Sequence, residues 1–241
     1  MSYSPLRGTG ALVNVITVNR EDVKEFDDWY SFQHFPERLA VPGFHRGRRY
    51  VSRYDGGAHR DLAASAHVRV FSLYETHDTA TLTSPAYLAA LDSPTDWTKH
   101  SVGLFQTNVR SVCHVLHAAG VGRSGHIFVV EIHPLDTHHA LAHLTGAIDG
   151  LIAERRILSG YVLATDMEAT NAKDSTAEGR VAAARAAHDQ KNTERWYVVF
   201  EVHGSLAVED RIAAIRDSLA DGPWTAAESE SYELVSDREI D

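Results

Sequence analysis

The segment Trp29-Tyr30-Ser31-Phe32-Gln33-His34-Phe35-Pro36-Glu37-Arg38 has the residue types and spacing best suited to proton transfer in this chain. Histidine is the side chain whose ordinary pKa lies nearest neutral pH. An imidazole held over a pocket can serve as general base or acid beside a carbonyl or a phenol. Tyr30 stands one helical turn before His34, so it can share the same face and orient the imidazole or donate to an oxyanion. Trp29 can wall an aromatic substrate. Asn14 is polar inside an apolar strand, and Arg48 could hold a carboxylate or enolate if its strand face looks into the cavity. Tyr87, Trp97 and His100 are candidates for the mouth of that cavity. Each has a plainer alternative: Trp29 and Tyr30 as core, Arg48 as a solvated edge charge, Asn14 as a loop partner, His34 as a half-buried helix end. The chain has 15 histidines, which weakens any argument from one of them alone.

A second constellation lies further on. Glu131 and His133 share a face of one strand, and Glu201 and His203 share a face of another. If those strands are neighbours, the four could bind a divalent metal or share a proton. The alternative is that they cap helices or face water. His139 and His143 have two-histidine ligand spacing on a helix, without the glutamate that would follow the first.

The elements that would carry these residues follow from periodicity. Residues 11–18 form an apolar, β-branched strand. An amphipathic helix then carries Val23, Phe26 and Tyr30 on one stripe, with Trp29 and Phe32 beside it. Pro36 lacks a backbone N–H, so this helix should kink or restart there. A strand from Phe44 to Tyr54 alternates Arg46, Arg48 and Tyr50 against His45, Arg49 and Val51, and also contains Arg53; Asp55-Gly56-Gly57 signals a turn. A third strand spans 66–76. A weaker helix capped by Asp78 runs to about Leu91, broken at Ser84-Pro85; 92–103 reads as loop, and 106–116 as a fourth strand. The second half repeats the order. It has strands at 125–133, 157–165, 196–203 and 229–235, a helix from Asp136 or Thr137 through Ile152, and another over 206–219. Leu73-Tyr74-Glu75-Thr76-His77 matches Val199-Phe200-Glu201-Val202-His203. The stretch 166–195 is polar and long, with an Ala-rich piece over 179–188, and reads as a flap.

This gives an α+β fold of two tandem ferredoxin-like β-α-β-β-α-β units, 1–118 and 119–241, the second carrying the 166–195 insertion. Each unit leaves one sheet face bare, and the two are expected to cover each other sheet to sheet as a pseudo-dimeric α/β barrel. A cavity inside the barrel or between sheet and helices would suit a small molecule.

Composition narrows the partners. The formal charge is -10, with no basic run, so nucleic acid is not expected. A single cysteine, Cys113, excludes an internal disulfide and a cysteine zinc cluster. No apolar run reaches the ~20 residues that span a bilayer, so no membrane partner is expected and the cytoplasm is the default compartment. Whether the fused pair forms a homodimer stays open. There is no phosphate-binding glycine loop, dinucleotide fingerprint or nucleophile elbow, which favours side-chain chemistry without a cofactor.

The phrase Trp29-Tyr30-x-x-x-His34-x-Pro36-Glu37-x-Leu39-x-x-Pro42-Gly43-Phe44, followed by Arg48-Arg49-Tyr50 and later Tyr74-Glu75, resembles the dimeric α/β-barrel superfamily, closest to its EthD-like branch. The second half is similar only in element order and has Ala153-Glu154-Arg155-Arg156 near the place of the His-x-Pro-Glu phrase. The superfamily includes cofactor-free oxygenases, muconolactone-type isomerases, polyketide cyclases, dehydratases and haem-dependent enzymes. The resemblance implies a fused pair with one active half, and His34 matches the family's recurrent histidine. The expected function is cofactor-independent acid/base chemistry on a small hydrophobic substrate, aromatic or polyketide-like: isomerisation, elimination or cyclisation. A cofactor-free monooxygenase and a non-catalytic ligand-binding protein are the alternatives.

Overall fold

A computed structural model describes residues 4–52, 54–55, 58–59, 65–185, 194–204 and 208–240. The first half contains β1 (Gly10–Asn19), α1 (Val23–Trp29), a π-helical turn (Tyr30–His34), α2 (Phe35–Leu39), β2 (Phe44–Ser52), β3 (His67–Thr76), α3 (Pro85–Asp92), α4 (Asp96–Val102) and β4 (Phe105–Gly120). The second contains β5 (His126–Pro134), α5 (Thr137–Ala153), β6 (Ser159–Thr165), α6 (Met167–Asn171), α7 (Ala177–Arg185), β7 (Trp196–Val202), α8 (Val208–Ser218) and β8 (Trp224–Glu239). Arg53 and the Gly56-Gly57 pair lie outside the described residues, as does Leu206 at the expected start of the last helix.

The eight long strands close into one antiparallel barrel, in the order β1-β3-β2-β8-β5-β7-β6-β4. Each half supplies four neighbours in the same internal order, with its first strand between its third and fourth. Closure removes the open edges that each half-sheet would otherwise present.

Two strands do the joining. β4 and β8 are each 16 residues long, against the 11 and 7 read from the sequence pattern. β4 pairs with β1 over 105–114 and then with β6 over 113–120. β8 pairs with β5 over 224–233 and with β2 over 232–239. Of the added residues, 117–120 of β4 and 236–239 of β8 pair with the opposite half, while 224–228 extend the pairing with β5, and stretches such as Ala118-Ala119-Gly120 carry no strand signal of their own.

Alternation along each strand separates three apolar layers. Val13, Val15, Tyr50, Phe71, Tyr161, Tyr197 and Tyr232 point inward and fill the barrel. The outer face of the first half packs Leu12, Ile16, Val70 and Tyr74 under α1–α4. The outer face of the second packs Phe128, Val130, Ile132 and Phe200 under α5 and α8.

One end of the barrel interior is charged. Arg48 donates to Glu75 Oε1 (3.3 Å), to Glu201 Oε1, and to the hydroxyls of Tyr50 (2.8 Å) and Tyr161 (3.0 Å). Arg46 donates to Glu75 through Nε (2.8 Å) and Nη2 (2.6 Å). Glu75 and Glu201 come from equivalent strands of the two halves, so the cluster ties them together. A buried pair of this kind contributes to register more than to net stability, because desolvation offsets its attraction.

Local corrections have local causes. The segment expected as loop after Asp92 contains α4, started by Thr95, whose Oγ1 accepts from the Thr98 N–H (3.0 Å). The break expected at Pro36 is absorbed one turn earlier, where the Phe35 N–H bonds the Tyr30 carbonyl across five residues. A π turn of this kind accommodates the missing proline donor without ending the helix. It also rotates Phe32 off the apolar stripe, leaving it 75% exposed.

Candidate active site

The π turn points His34 inward. Its imidazole is 8% exposed and lies between the Trp29 and Tyr30 rings, at centroid separations of 4.5 and 4.7 Å. Tyr74 on β3 stands behind it at 6.3 Å. Burial among these rings holds the His34 pKa well below its ordinary value of 6.5, and the nearby Arg38 and Arg49 charges push the same way. At neutral pH His34 is therefore an uncharged base. Its Nδ1 is buried with no hydrogen-bond partner among the described residues.

The aromatic frame is itself fixed. Trp29 Nε1 donates to Thr98 Oγ1 (3.3 Å), which uses α4 to set the indole. Tyr74 Oη donates to Tyr30 Oη (3.2 Å). Burial raises the pKa of both phenols, so both stay protonated. Arg49 lies over the Tyr30 ring at 5.1 Å and pairs with Asp27.

His34 borders a cavity between the first-half helices and the outer face of β1 and β4. It has about 40 Å³ open to the centre of a water-sized sphere. Asn14, Trp29, Tyr30 and Tyr87 line it with His34, so five of the predicted residues converge there. Three do not. Arg48 faces the barrel interior and is taken up by Glu75 and Glu201. Trp97 sits partly exposed on α4. His100 pairs with Glu25 (2.9 Å) on the protein surface. Alternation groups Arg48 with Tyr50, and the two meet in the barrel interior, but alternation does not say which side of the sheet holds the cavity.

The cavity also contains residues that the sequence reading did not assign. Arg38, Asn108, Arg110, Lys173 and Glu178 complete the polar lining. Arg38 follows His34 by one turn, so the spacing that pairs Tyr30 with His34 applies to it equally. Arg110 and Asn108 are brought in by register alone, since Asn14 pairs with Arg110 and Ile16 with Asn108. Arg38 pairs with Glu178, and Arg110 donates to the Thr170 carbonyl (3.0 Å) and to Tyr87 Oη (3.2 Å).

Glu178 and Thr170 belong to the insertion, expected as a flap. Within the described residues it forms α6 and α7, and residues 186–193 lie outside them. It leaves the second half and packs over the cavity of the first. The Val112 N–H donates to Thr170 Oγ1 (2.9 Å), and the Ala177 N–H donates to Asp92 Oδ1 (2.8 Å).

The alternative metal set does not assemble. β5 and β7 are antiparallel, with Glu131 opposite Tyr197 and Glu201 opposite Ile127, so the two carboxylates sit at opposite ends of the ladder. Glu131 pairs with Arg195 (2.7 Å), His133 bonds the Glu194 carbonyl (2.8 Å), and His203 bonds the Arg155 carbonyl (3.1 Å). Among the described residues no three His, Cys, Asp or Glu side chains are grouped as metal ligands. His139 pairs with Asp136 (3.0 Å) and His143 bonds the Ser218 carbonyl (3.2 Å), so that helical pair does not converge either.

A larger groove of about 560 Å³ runs beside α1, floored by Val23, Val51, Val68 and Val70. On its rim Asp27 pairs with Arg49 and Lys24 with Asp28 (2.7 Å). It contains none of the predicted site residues. The smaller cavity is preferred because, unlike this groove, it offers an uncharged imidazole beside cationic groups.

Among the described residues no helix is long and apolar enough to cross a membrane. No family model and no curated protein matches the chain in sequence. Solved structures do match over nearly the whole length. A candidate monooxygenase from Lactobacillus acidophilus aligns with a TM-score of 0.56 at 8% identity, covering 96% of each chain. A candidate monooxygenase from Fusobacterium nucleatum aligns at 0.53 and 8% identity, covering 97% of this chain and 96% of its own. An anthrone oxidase-like protein aligns at 0.51 and 11% identity, covering 98% and 95%. These likenesses show the fold: an α+β barrel of two ferredoxin-like halves, here closed by strands of a single chain.

Proposed function

We propose that this α/β-barrel chain is a cofactor-independent enzyme that moves a proton at carbon on a small hydrophobic metabolite, with His34 as the base. The observation that carries this reading is the buried, uncharged imidazole of His34 bordering a cavity lined by Arg38 and Arg110. His34 would take a proton from a carbon next to a carbonyl, or from a phenol. The product anion gains from the two guanidiniums, and their presence before reaction avoids reorganisation as charge develops. A base with a lowered pKa is weaker, but it is wholly in its active form at neutral pH. Trp29 presents an aromatic wall to the substrate. Tyr30 acts as a positioning residue, since its hydroxyl is engaged by Tyr74 and its ring contacts the imidazole. Returning the proton elsewhere gives isomerisation, loss of a leaving group gives elimination, and internal attack gives ring closure.

The test is exchange of solvent deuterium into a panel of enolisable aromatic ketones and phenols, followed by NMR. The His34→Asn protein should exchange roughly 10²–10⁴-fold more slowly with little change in affinity. A loss of affinity with no exchange in the parent protein would make the cavity a carrier's.

A second reading is a cofactor-free monooxygenase, supported by the names of the fold neighbours. The same base would form a substrate carbanion that reacts with O₂, one oxygen atom ending in a new carbonyl and the other in water. Stoichiometric oxygen uptake with an enolisable substrate selects this reading; exchange without uptake rejects it.

A further inference from the structure

The cavity's charge runs against that of the whole molecule. The chain has a formal charge of -10, yet three cationic side chains and one carboxylate line this cavity. Arg38 and Arg110 are buried, at 2% and 6% exposure. Arg38 is compensated by Glu178. Arg110 has only neutral acceptors, Thr170 and Tyr87, and among the described residues it forms no ion pair. Burying a cation without a counter-charge is costly unless something else supplies one. Two cavity residues also hold buried polar atoms with no partner among the described residues, His34 Nδ1 and Asn108 Oδ1.

Access imposes a second condition. The free volume of about 40 Å³ holds little more than water, so an organic substrate needs α7 to shift. That shift takes the Glu178 carboxylate away from Arg38. A neutral molecule would leave two buried guanidiniums without a counter-ion. A molecule carrying a carboxylate restores the pair as it enters.

We propose that the cavity is selective for organic acids, the substrate carboxylate replacing Glu178 on Arg38 and the field of Arg110 adding to its attraction. This rests on reading the His34 cavity as the active site, and it narrows the substrate to a hydrophobic acid whose reactive carbon lies beside His34. Glu178 is then an internal occupant of the subsite, carried by a segment of the second half.

The experiment is titration calorimetry at neutral pH and low salt with benzoate, phenylacetate and 1-naphthoate, each against its neutral amide. The parent protein should bind at least one acid about tenfold more tightly than its amide. Glu178→Gln should tighten acid and amide binding alike by about five- to tenfold with the acid preference kept, because every ligand must displace this side chain from Arg38 and the displaced group no longer gives up an ion pair. Arg38→Gln should remove the preference. Circular dichroism confirms that each variant is folded, and the acid-to-amide ratio of the parent protein stands without any variant. Equal binding of every acid and its amide, or no acid binding, overturns the proposal. So does Glu178→Gln weakening acids and amides alike. Repeating the titration with His34→Asn separates the two claims. Acid preference that persists without deuterium exchange in the parent protein supports the subsite and removes the catalytic reading, while exchange without acid preference does the reverse.

Discussion

The two helix-on-sheet layers of this molecule are built on the same frame and filled in opposite ways. Their correspondence can be read from strand register. Leu12 and Gly47 both pair with Tyr74, as Phe128 and Gly160 both pair with Phe200. Both glycines are required by close approach. A Cβ at Gly47 would lie 3.0 Å from the Phe35 ring, and one at Gly160 would lie 3.0 Å from Ile148. Phe35 and Ile148 therefore hold the same post, and the residue before each is His34 in one half and Ala147 in the other. Two residues after Leu12 stands Asn14; two after Phe128 stands Val130. Asn14 pairs with Arg110 where Val130 pairs with Ser229. The second layer packs Val130, Leu144 and Ile148 into an apolar core under a regular 17-residue helix. The first keeps an imidazole, two guanidiniums and a cavity. A stable layer of this architecture can be wholly apolar, so the polar groups of the first are not demanded by the fold.

That contrast can be broken from either side. The largest effect is expected at His34. His34→Ala should lower turnover by about 10²–10⁴-fold per folded molecule, a loss far beyond what its smaller fall in denaturation midpoint accounts for, measured by exchange kinetics and urea titration. A fall in stability without a fall in rate would return His34 to the core. On the other side, Ile148→Ala should cost about 2–5 kcal/mol in chemical denaturation with no loss of specific activity in the protein that remains folded.

Exchanging the matched pair sharpens the comparison. Val130→Asn buries an amide in the apolar layer and should destabilise by about 1–3 kcal/mol. Asn14→Val should leave stability unchanged or raised, and weaken substrate binding or turnover. If both substitutions cost the same stability, the layers are not differentiated as described.

The smallest effect is on pH dependence. His34 is held well below its ordinary value of 6.5 when folded, whereas the unfolded chain takes up a proton near that value. The unfolded state then binds more protons, so this contribution to stability is present above pH 6.5 and is lost as pH falls towards the folded pKa. Urea midpoints measured at a series of pH values should show a shallower decline below pH 6.5 for His34→Asn than for the parent protein. Parallel curves would mean the imidazole is not held neutral.

The long outer strands show the limit of local reading most plainly. Apolar alternation found all eight strands, because each half buries both faces of its own sheet. It stopped short on β4 and β8, whose C-terminal ends pair with the opposite half and carry the sequences Ala118-Ala119-Gly120 and Ser236-Asp237-Arg238-Glu239. The metal alternative failed for a related reason. Glu131 and Glu201 have equivalent places on their own strands, and antiparallel pairing puts equivalent places at opposite ends.

The sequence alone determined the element order, the internal repeat and the helical segment that carries His34, since these rest on periodicity, proline chemistry and composition acting over a few residues. It also placed Trp29, Tyr30 and Asn14 with His34, because one turn of helix and one apolar strand bring them together. Only the tertiary structure decided which face of the barrel holds the cavity, and that Arg48 belongs to the interior while Arg38 and Arg110 belong to the site. Those outcomes depend on register between distant strands and on α6 and α7 crossing from one half to cover the other. Contacts of that kind are set by how the two halves close on each other, and no pattern within a short window of the chain encodes them.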